Sequence, residues 1–195
     1  MAEQDAPGQQ PLGTAQERIV DTAYELFSRR GIRDVGVDEL IERAGVAKAT
    51  FYRHFPSKDD LVIAFLDRRE ELWTRDWSEK EARKRGATPE ESLLAIFDLL
   101  DEWFHHPEFE GGSFMRVLFE MGRQHPAGRA SVRHLRNMRG MVRRLAEEAG
   151  LRDPGAFALS WHILIQGSIV VAAEGDLEAA TRAKEIARLL IGRHR

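Results

Sequence analysis

The sequence predicts an all-α protein of about nine helices, and three observations carry that prediction. Apolar residues recur three and four positions apart along nearly the whole chain, the period of one helix face. No stretch alternates apolar and polar residues as a half-buried strand would. Glycines, prolines and short capping side chains stand where the periodic stretches begin and end.

In chain order, residues 1–13 are rich in Gln, Pro and Gly without apolar period and read as a disordered arm. Thr14 and Glu17 form a capping box that opens a helix with Ile19, Ala23, Leu26 and Phe27 on one face, stopped by Gly31. Val37, Leu40, Ile41 and Ala44 make one face of a second helix. Gly45, free to take positive φ, can end it and turn the chain sharply. A short third helix is expected from about Lys48 to His54, with Phe51 and Phe55 facing inward, because Pro56 cannot continue it. Ser57 and Asp60 have capping-box spacing and open a fourth, expected to run through Leu61, Phe65 and Leu72 to about Arg85.

Thr88-Pro89-Glu90-Glu91 combines an N-cap, a proline at the first helical position and a Glu at the third. The helix it opens buries Leu93, Ile96, Phe97, Leu100 and Phe104 before Pro107. Gly111-Gly112 precedes a helix holding Phe114, Val117, Leu118 and Met121. A long basic helix from about Ala127 to Ala149 carries Val132, Leu135, Met138, Val142 and Leu145, and Gly150 closes it. Asp153-Pro154 starts an eighth helix, apolar nearly all round, which Gly175-Asp176 breaks; the ninth holds Ala180, Ala183, Ile186, Ala187, Leu190 and Ile191.

Composition narrows the class. At 195 residues the chain suits one or two compact domains. It has no cysteine, which excludes disulfides and thiolate metal sites. No apolar run is expected to reach the roughly 20 residues of a membrane span, and the N-terminus does not read as a signal peptide, so a soluble cytoplasmic protein without a membrane partner is expected. The net charge of −3 argues against non-specific coating of nucleic acid, so DNA contact would need a local patch.

Such a patch lies at Val37–Leu61. Helix, glycine-containing turn and short helix is the helix-turn-helix pattern, whose second helix enters the major groove. From Arg43 to Lys58 stand four cations (Arg43, Lys48, Arg53, Lys58) and no carboxylate, a +4 window in an acidic chain. The outward side of the short helix carries Lys48, Thr50, Tyr52, Arg53 and His54, all able to donate to phosphates or base edges. The spacing by itself fits equally an αα-hairpin whose polar side faces water.

These residues also carry a specific resemblance. Ala44-Gly45-Val46, Lys48-Ala49-Thr50, Phe51-Tyr52-Arg53-His54-Phe55 and Ser57-Lys58-Asp59-Asp60-Leu61 closely resemble the DNA-binding domain of the TetR family of bacterial transcriptional regulators. The match spans roughly Thr14 to Leu66, about a quarter of the chain. It implies a helix-turn-helix domain over 14–60, an effector-binding and dimerisation domain over 61–195, and a homodimer reading a palindromic operator, most often as a repressor. The fourth helix would be the mechanical link between the domains. Lys48, Tyr52 and Lys58 would hold phosphates, with Thr50 and His54 approaching bases. The family usually has Thr or Ser before the second helix and Ser in the turn. Val35, Gly36 and Ala47 occupy those places, so the hydroxyl–phosphate contacts are not carried over. The rival expectation is a ligand-binding or interaction protein of the same fold that does not read DNA.

The last two helices, apolar on most sides, suit either an ordinary core or a two-fold interface; the resemblance implies the latter, as a four-helix bundle. Trp161, Leu164, Ile169, Ala183 and Leu190 are the candidate interface residues. The aromatic and Met residues from Trp73 and Trp77 to Met121 read as core one by one. The resemblance implies a cavity among them for a small, largely apolar effector, for which Trp103, Phe114, Phe119 and Trp161 are the candidate lining.

Metal and catalysis find no motif. His105-His106 point about 100° apart on a helix, and the chain has no HExxH pair, so His105, His106, His125, His134 and His162, with Glu102, Glu108 and Glu110 nearby, read as structural or surface groups. The chain also lacks a GxSxG elbow, a phosphate-cradling glycine loop and a Rossmann fingerprint, so no cofactor and no enzyme activity are expected.

Overall fold

The computed structural model describes residues 13–71, 78–107 and 109–195. Among them lie ten helices and no strand: α1 (Ala15–Arg30), α2 (Val37–Arg43), α3 (Lys48–His54), α4 (Lys58–Glu70), α5 (Glu79–Arg85), α6 (Pro89–Phe104), α7 (Ser113–Met121), α8 (Pro126–Glu148), α9 (Pro154–Ala173) and α10 (Ala179–His194). The all-α expectation holds. The tenth helix, α5, occupies the stretch read from sequence as the far end of the helix opening at Lys58. Residues 1–12 of the expected arm, Leu72, Trp73, Trp77 and Glu108 lie outside the described residues. Packing divides the chain into two compact units, Met1–Phe65 and Leu66–Arg195, with the division inside α4.

The first unit is built on the local signals of its sequence. Thr14 Oγ1 accepts from the Glu17 N–H at 3.3 Å, and the Glu17 carboxylate accepts from the Thr14 N–H at 2.6 Å, a closed capping box. The same exchange opens α4: Asp60 Oδ2 accepts from the Ser57 N–H at 3.0 Å and Ser57 Oγ from the Asp60 N–H at 3.2 Å. Gly45, at φ 62°, makes the turn between α2 and α3, a conformation costly to any residue with a Cβ. Ile19, Ala23, Leu26 and Phe27 of α1 are all buried, as their spacing predicts, and join Leu40, Phe51, Phe55, Leu61 and Phe65 in one core. Phe65 meets Phe27 edge-on at 5.6 Å and Tyr24 at 5.7 Å. Burial of each such ring contributes roughly 1.5–3 kcal/mol.

The second unit packs α6, α8, α9 and α10 around Trp161, which is fully buried between Phe97 at 5.2 Å and Phe157 at 5.0 Å. Thr88 and Glu91 close the capping box of α6, and Asp153, in the left-handed region at φ 46°, caps α9 by accepting from the Ala156 N–H. Lys184 Nζ meets both carboxylate oxygens of Asp98 at 2.5 and 2.6 Å, fastening α10 to α6. Arg83 forks onto Glu148 at 2.7 and 2.8 Å, fastening α5 to α8. Between α7 and α8 the backbones nearly touch: a Cβ on Gly128 would fall 1.9 Å from the carbonyl oxygen of Gly122.

One sequence expectation is corrected here. Helix α9 is 20 residues long with a mean hydropathy of 1.7, long and apolar enough by composition to cross a membrane. Its hydropathy has a packing cause on one side, where Phe157, Trp161, Ile165 and Ile169 are buried in the core of the unit. The opposite side also carries apolar residues: Leu159, Ile163 and Val170 are more than half exposed, as are Ile186 and Leu189 on α10.

Candidate nucleic-acid interface and effector cavity

Helix α3 is seven residues long and anchored from below. Phe51 is fully buried and Phe55 nearly so, their rings 6.3 Å apart, and this pins the opposite side outward. There Tyr52 and Arg53 are exposed and Thr50 and His54 half-buried, with the Tyr52 ring edge-on to Phe51 at 5.4 Å. Lys48, in the first turn, stands 3.4 Å from Asp38 with both side chains mostly in solvent. Such a surface pair is worth about 0–1 kcal/mol and yields readily to a phosphate. Ala47 holds the N-cap position and supplies no side-chain hydrogen bond, as its residue type dictates.

Lys58 differs from the other candidates. Its Nζ donates to the carbonyl oxygen of Ile32 and lies 6.0 Å from the centre of the Phe27 ring, so the ammonium is turned into the first unit. A phosphate contact by Lys58 would cost that bond. Five of the six proposed DNA-facing residues therefore share the outer side of α3, and the sixth is engaged elsewhere. Arg18 on α1 had no sequence signal beyond its charge. Its Nε donates to the Ala44 carbonyl at 3.2 Å, tying α1 to the end of α2, where orphan carbonyls and the helix dipole favour a cation.

Within the second unit a cavity of about 80 Å³ is lined by Ile96, Leu99, Trp103, Phe114, Met138 and Ile165, among others. Of the four candidate lining residues, Trp103 and Phe114 are in this wall. Phe119 and Trp161 are not: Phe119 is 77% exposed on the outer side of α7, and Trp161 sits in the core beside Phe97 and Phe157. Arg69 is the charged member of the lining, and sequence reasoning missed it. Its guanidinium pairs with Glu110, both side chains nearly buried, and lies 5.6 Å over the Trp103 ring.

The candidate interface residues divide as well. Trp161, Ile169 and Ala183 are buried within their own chain, and Leu164 and Leu190 pack partly against the same core. The free apolar side of α9 and α10 consists instead of Leu159, Ile163, Val170, Ile186 and Leu189. A helix apolar all round does not announce which side its neighbours take.

Two histidines are buried. His162 on α9 is titrated down to about 4, first by its burial and then by the charge of Arg139, so it is neutral at neutral pH. His134 on α8 sits between two carboxylates of α4, its Nε2 3.1 Å from Asp67 Oδ1 and its Nδ1 2.5 Å from Glu70 Oε2. From the sequence it reads, with the other histidines, as a structural or surface group, linked to neither acid.

Comparison with known proteins converges on one family. Residues 19–65 match the family described as bacterial regulatory proteins, tetR family. The chain is 41% identical over 59 residues to the HTH-type transcriptional regulator EthR of Mycobacterium tuberculosis, covering 30% of this chain and 27% of that one. It is 40% identical over 58 residues to the HTH-type transcriptional activator FasR of Mycolicibacterium smegmatis, covering 30% and 26%. These matches thus span about a quarter of the length of each relative. Over nearly the whole chain it is similar to the solved structure of a TetR-family transcriptional regulator from Streptomyces coelicolor, with a TM-score of 0.84, 26% identity, and 92% and 95% of the two chains covered.

Proposed function

This chain belongs to the TetR family of bacterial transcriptional regulators, and from that premise we propose that it is a cytoplasmic, homodimeric repressor released from a palindromic operator by a small, largely apolar effector. The observation that carries the reading is α3. Its aromatic underside is locked into the first unit while Lys48, Tyr52, Arg53, Thr50 and His54 point outward. Lys48 and Tyr52 hold phosphates; Thr50 and His54 reach base edges.

One seven-residue helix reads few base pairs. Two copies set about one DNA turn apart read a palindrome and double the phosphate contacts. The exposed apolar stripe of α9 and α10 supports pairing, since a patch of that kind on a lone chain is a liability. The cavity beside Trp103 and Phe114 supports an apolar or aromatic effector. Helix α4 contributes residues to both units, and the effector acts by favouring a pose of α4 in which the recognition helices leave one-turn spacing. It shifts that balance only by its difference in affinity for the two poses.

The test is fluorescence anisotropy of the purified protein on its own upstream intergenic DNA, beside scrambled DNA, over a salt series. Specific binding is expected to weaken by about 0.9 log units per log unit of salt for each phosphate neutralised. Equal binding to both DNAs, or none, would defeat the operator reading. A promoter fusion gives the sign: deletion of the gene raises transcription if the protein represses and lowers it if, as FasR is named, it activates.

A further inference from the structure

We propose that Asp67, Glu70 and His134 form a binding site for one divalent first-row transition ion, such as Zn²⁺, between α4 and α8. Asp67 and Glu70 are one helical turn apart on α4, so their carboxylates share a face. His134 comes to that face from the middle of α8. One carboxylate oxygen from each acid and one ring nitrogen of His134 lie within 4.8 Å of one another. Two donors bound about 2.1 Å from a single ion can be at most about 4.2 Å apart. An ion takes one ring nitrogen, and Nδ1 faces Glu70 while Nε2 faces Asp67, so the exposed Asp67 carboxylate must swing to the Nδ1 side to close the site.

Three features separate this trio from an ordinary buried ion pair. Neither His134 nitrogen has the alignment of a hydrogen bond to the carboxylate it faces, although the separations are 3.1 and 2.5 Å. Donors around an ion point at the ion, not at each other. The His134 ring is also held in place: it is 1% exposed and stacks on Phe114 with centroids 5.2 Å apart. Finally, the acid side is braced, since Asn137 Nδ2 donates to Glu70 Oε1 at 2.5 Å, the outer support that ligating carboxylates need.

The donor set selects the ion. One imidazole with two carboxylates favours Zn²⁺ and its first-row neighbours over Mg²⁺ or Ca²⁺, which prefer all-oxygen shells. Three protein ligands leave a coordination position for water or for an oxygen of a bound ligand. Phe114 is shared between the His134 ring and the cavity wall, so the ion would stand directly behind that wall. Arg133 stands 3.4 Å from Asp67 with its side chain 55% exposed, so it can swing into solvent when an ion takes that carboxylate.

Full-length protein stripped with chelator is titrated with Zn²⁺ by calorimetry, and with Co²⁺ by visible absorption. One ion per chain, with micromolar or tighter affinity and no competition from excess Mg²⁺, is expected. His134→Gln should lower affinity at least tenfold. Asp67→Asn, at a half-exposed position that leaves the core intact, should do the same with an unchanged circular dichroism spectrum. His105→Ala with His106→Ala should leave binding as it is. Absence of saturable binding, full competition by Mg²⁺, or binding that survives both His134→Gln and Asp67→Asn would overturn the site. A loss of binding in the His105/His106 variant would overturn it too, by placing the ion elsewhere.

Discussion

Arg18 on α1 and Ala44 at the end of α2 are joined by a hydrogen bond of 3.2 Å from a charged guanidinium to a helix-terminal carbonyl, and the same side chain reaches the Gly13 carbonyl at 3.1 Å. This bond sets the turn from which α3 departs. A charge-assisted hydrogen bond at a partly buried site contributes about 1.5–3 kcal/mol. Arg18→Ala is therefore expected to lower the melting temperature of the protein and to weaken operator binding. An unchanged melting curve would show that the bond is idle.

Lys48 and Lys58 are both candidate phosphate ligands by sequence, and the structure separates them. Lys48→Ala is expected to reduce the salt slope of operator binding by about 0.9 while leaving stability within about 0.5 kcal/mol. Lys58→Met is expected to do the reverse, lowering the melting temperature because the Ile32 carbonyl loses its donor. A salt slope that falls for Lys58→Met and not for Lys48→Ala would exchange their roles.

Tyr52→Ala should weaken operator binding about tenfold or more by removing both a hydroxyl donor and a ring that stiffens α3 against Phe51. The mass in solution should stay that of the dimer. Loss of the dimer instead would remove Tyr52 from the DNA contact set.

Ile163→Glu and Leu189→Glu place a charge on the exposed apolar stripe, and light scattering should then report monomers with native helicity. Trp161→Ala addresses the same helix from inside and should destabilise the fold by about 3–5 kcal/mol through the cavity it leaves. Dimers persisting in both glutamate variants would move the interface off α9 and α10.

His162 links stability to pH. Its folded pKa, about 4, lies below the ordinary histidine value of 6.5, so between those values the unfolded chain binds the extra proton. Stability is expected to fall as pH drops from 6.5 towards 4, by up to about 3 kcal/mol from this group. His162→Gln should flatten the denaturant midpoint across that window. A slope equal to that of the native protein would place the titration in other groups.

What the sequence disclosed follows the range of each interaction. Capping boxes at Thr14, Ser57 and Thr88 span three residues, and all three close as their letters suggest. The four buried residues of α1 are those that the helical period selects. The bond from Lys58 to Ile32 went unread because its acceptor lies 26 residues away, where no local pattern points. In α9 the period itself was silent, since every side is apolar. Trp161 and Ile169 therefore read as interface residues although they are core, while the stripe through Ile163 went unnamed. Asp67 and Glu70 meet His134 only because α4 and α8 pack together, and nothing in either segment alone marks them as partners.

The close approach of Gly122 and Gly128 bears on how the cavity proposed for an effector can change. Helices α7 and α8 both line the cavity, through Phe114 and Met115 on one and Leu135, Met138 and Met141 on the other. Their elbow admits no side chain at position 128, where even a methyl group would collide with backbone. In a library selected for altered ligand response, Gly128 should accept no replacement, although alanine is the better helix former. Variation would have to accumulate at Phe114, Met115 and Met138. The elbow thus keeps the spacing of the two walls constant while their surface chemistry is free to drift.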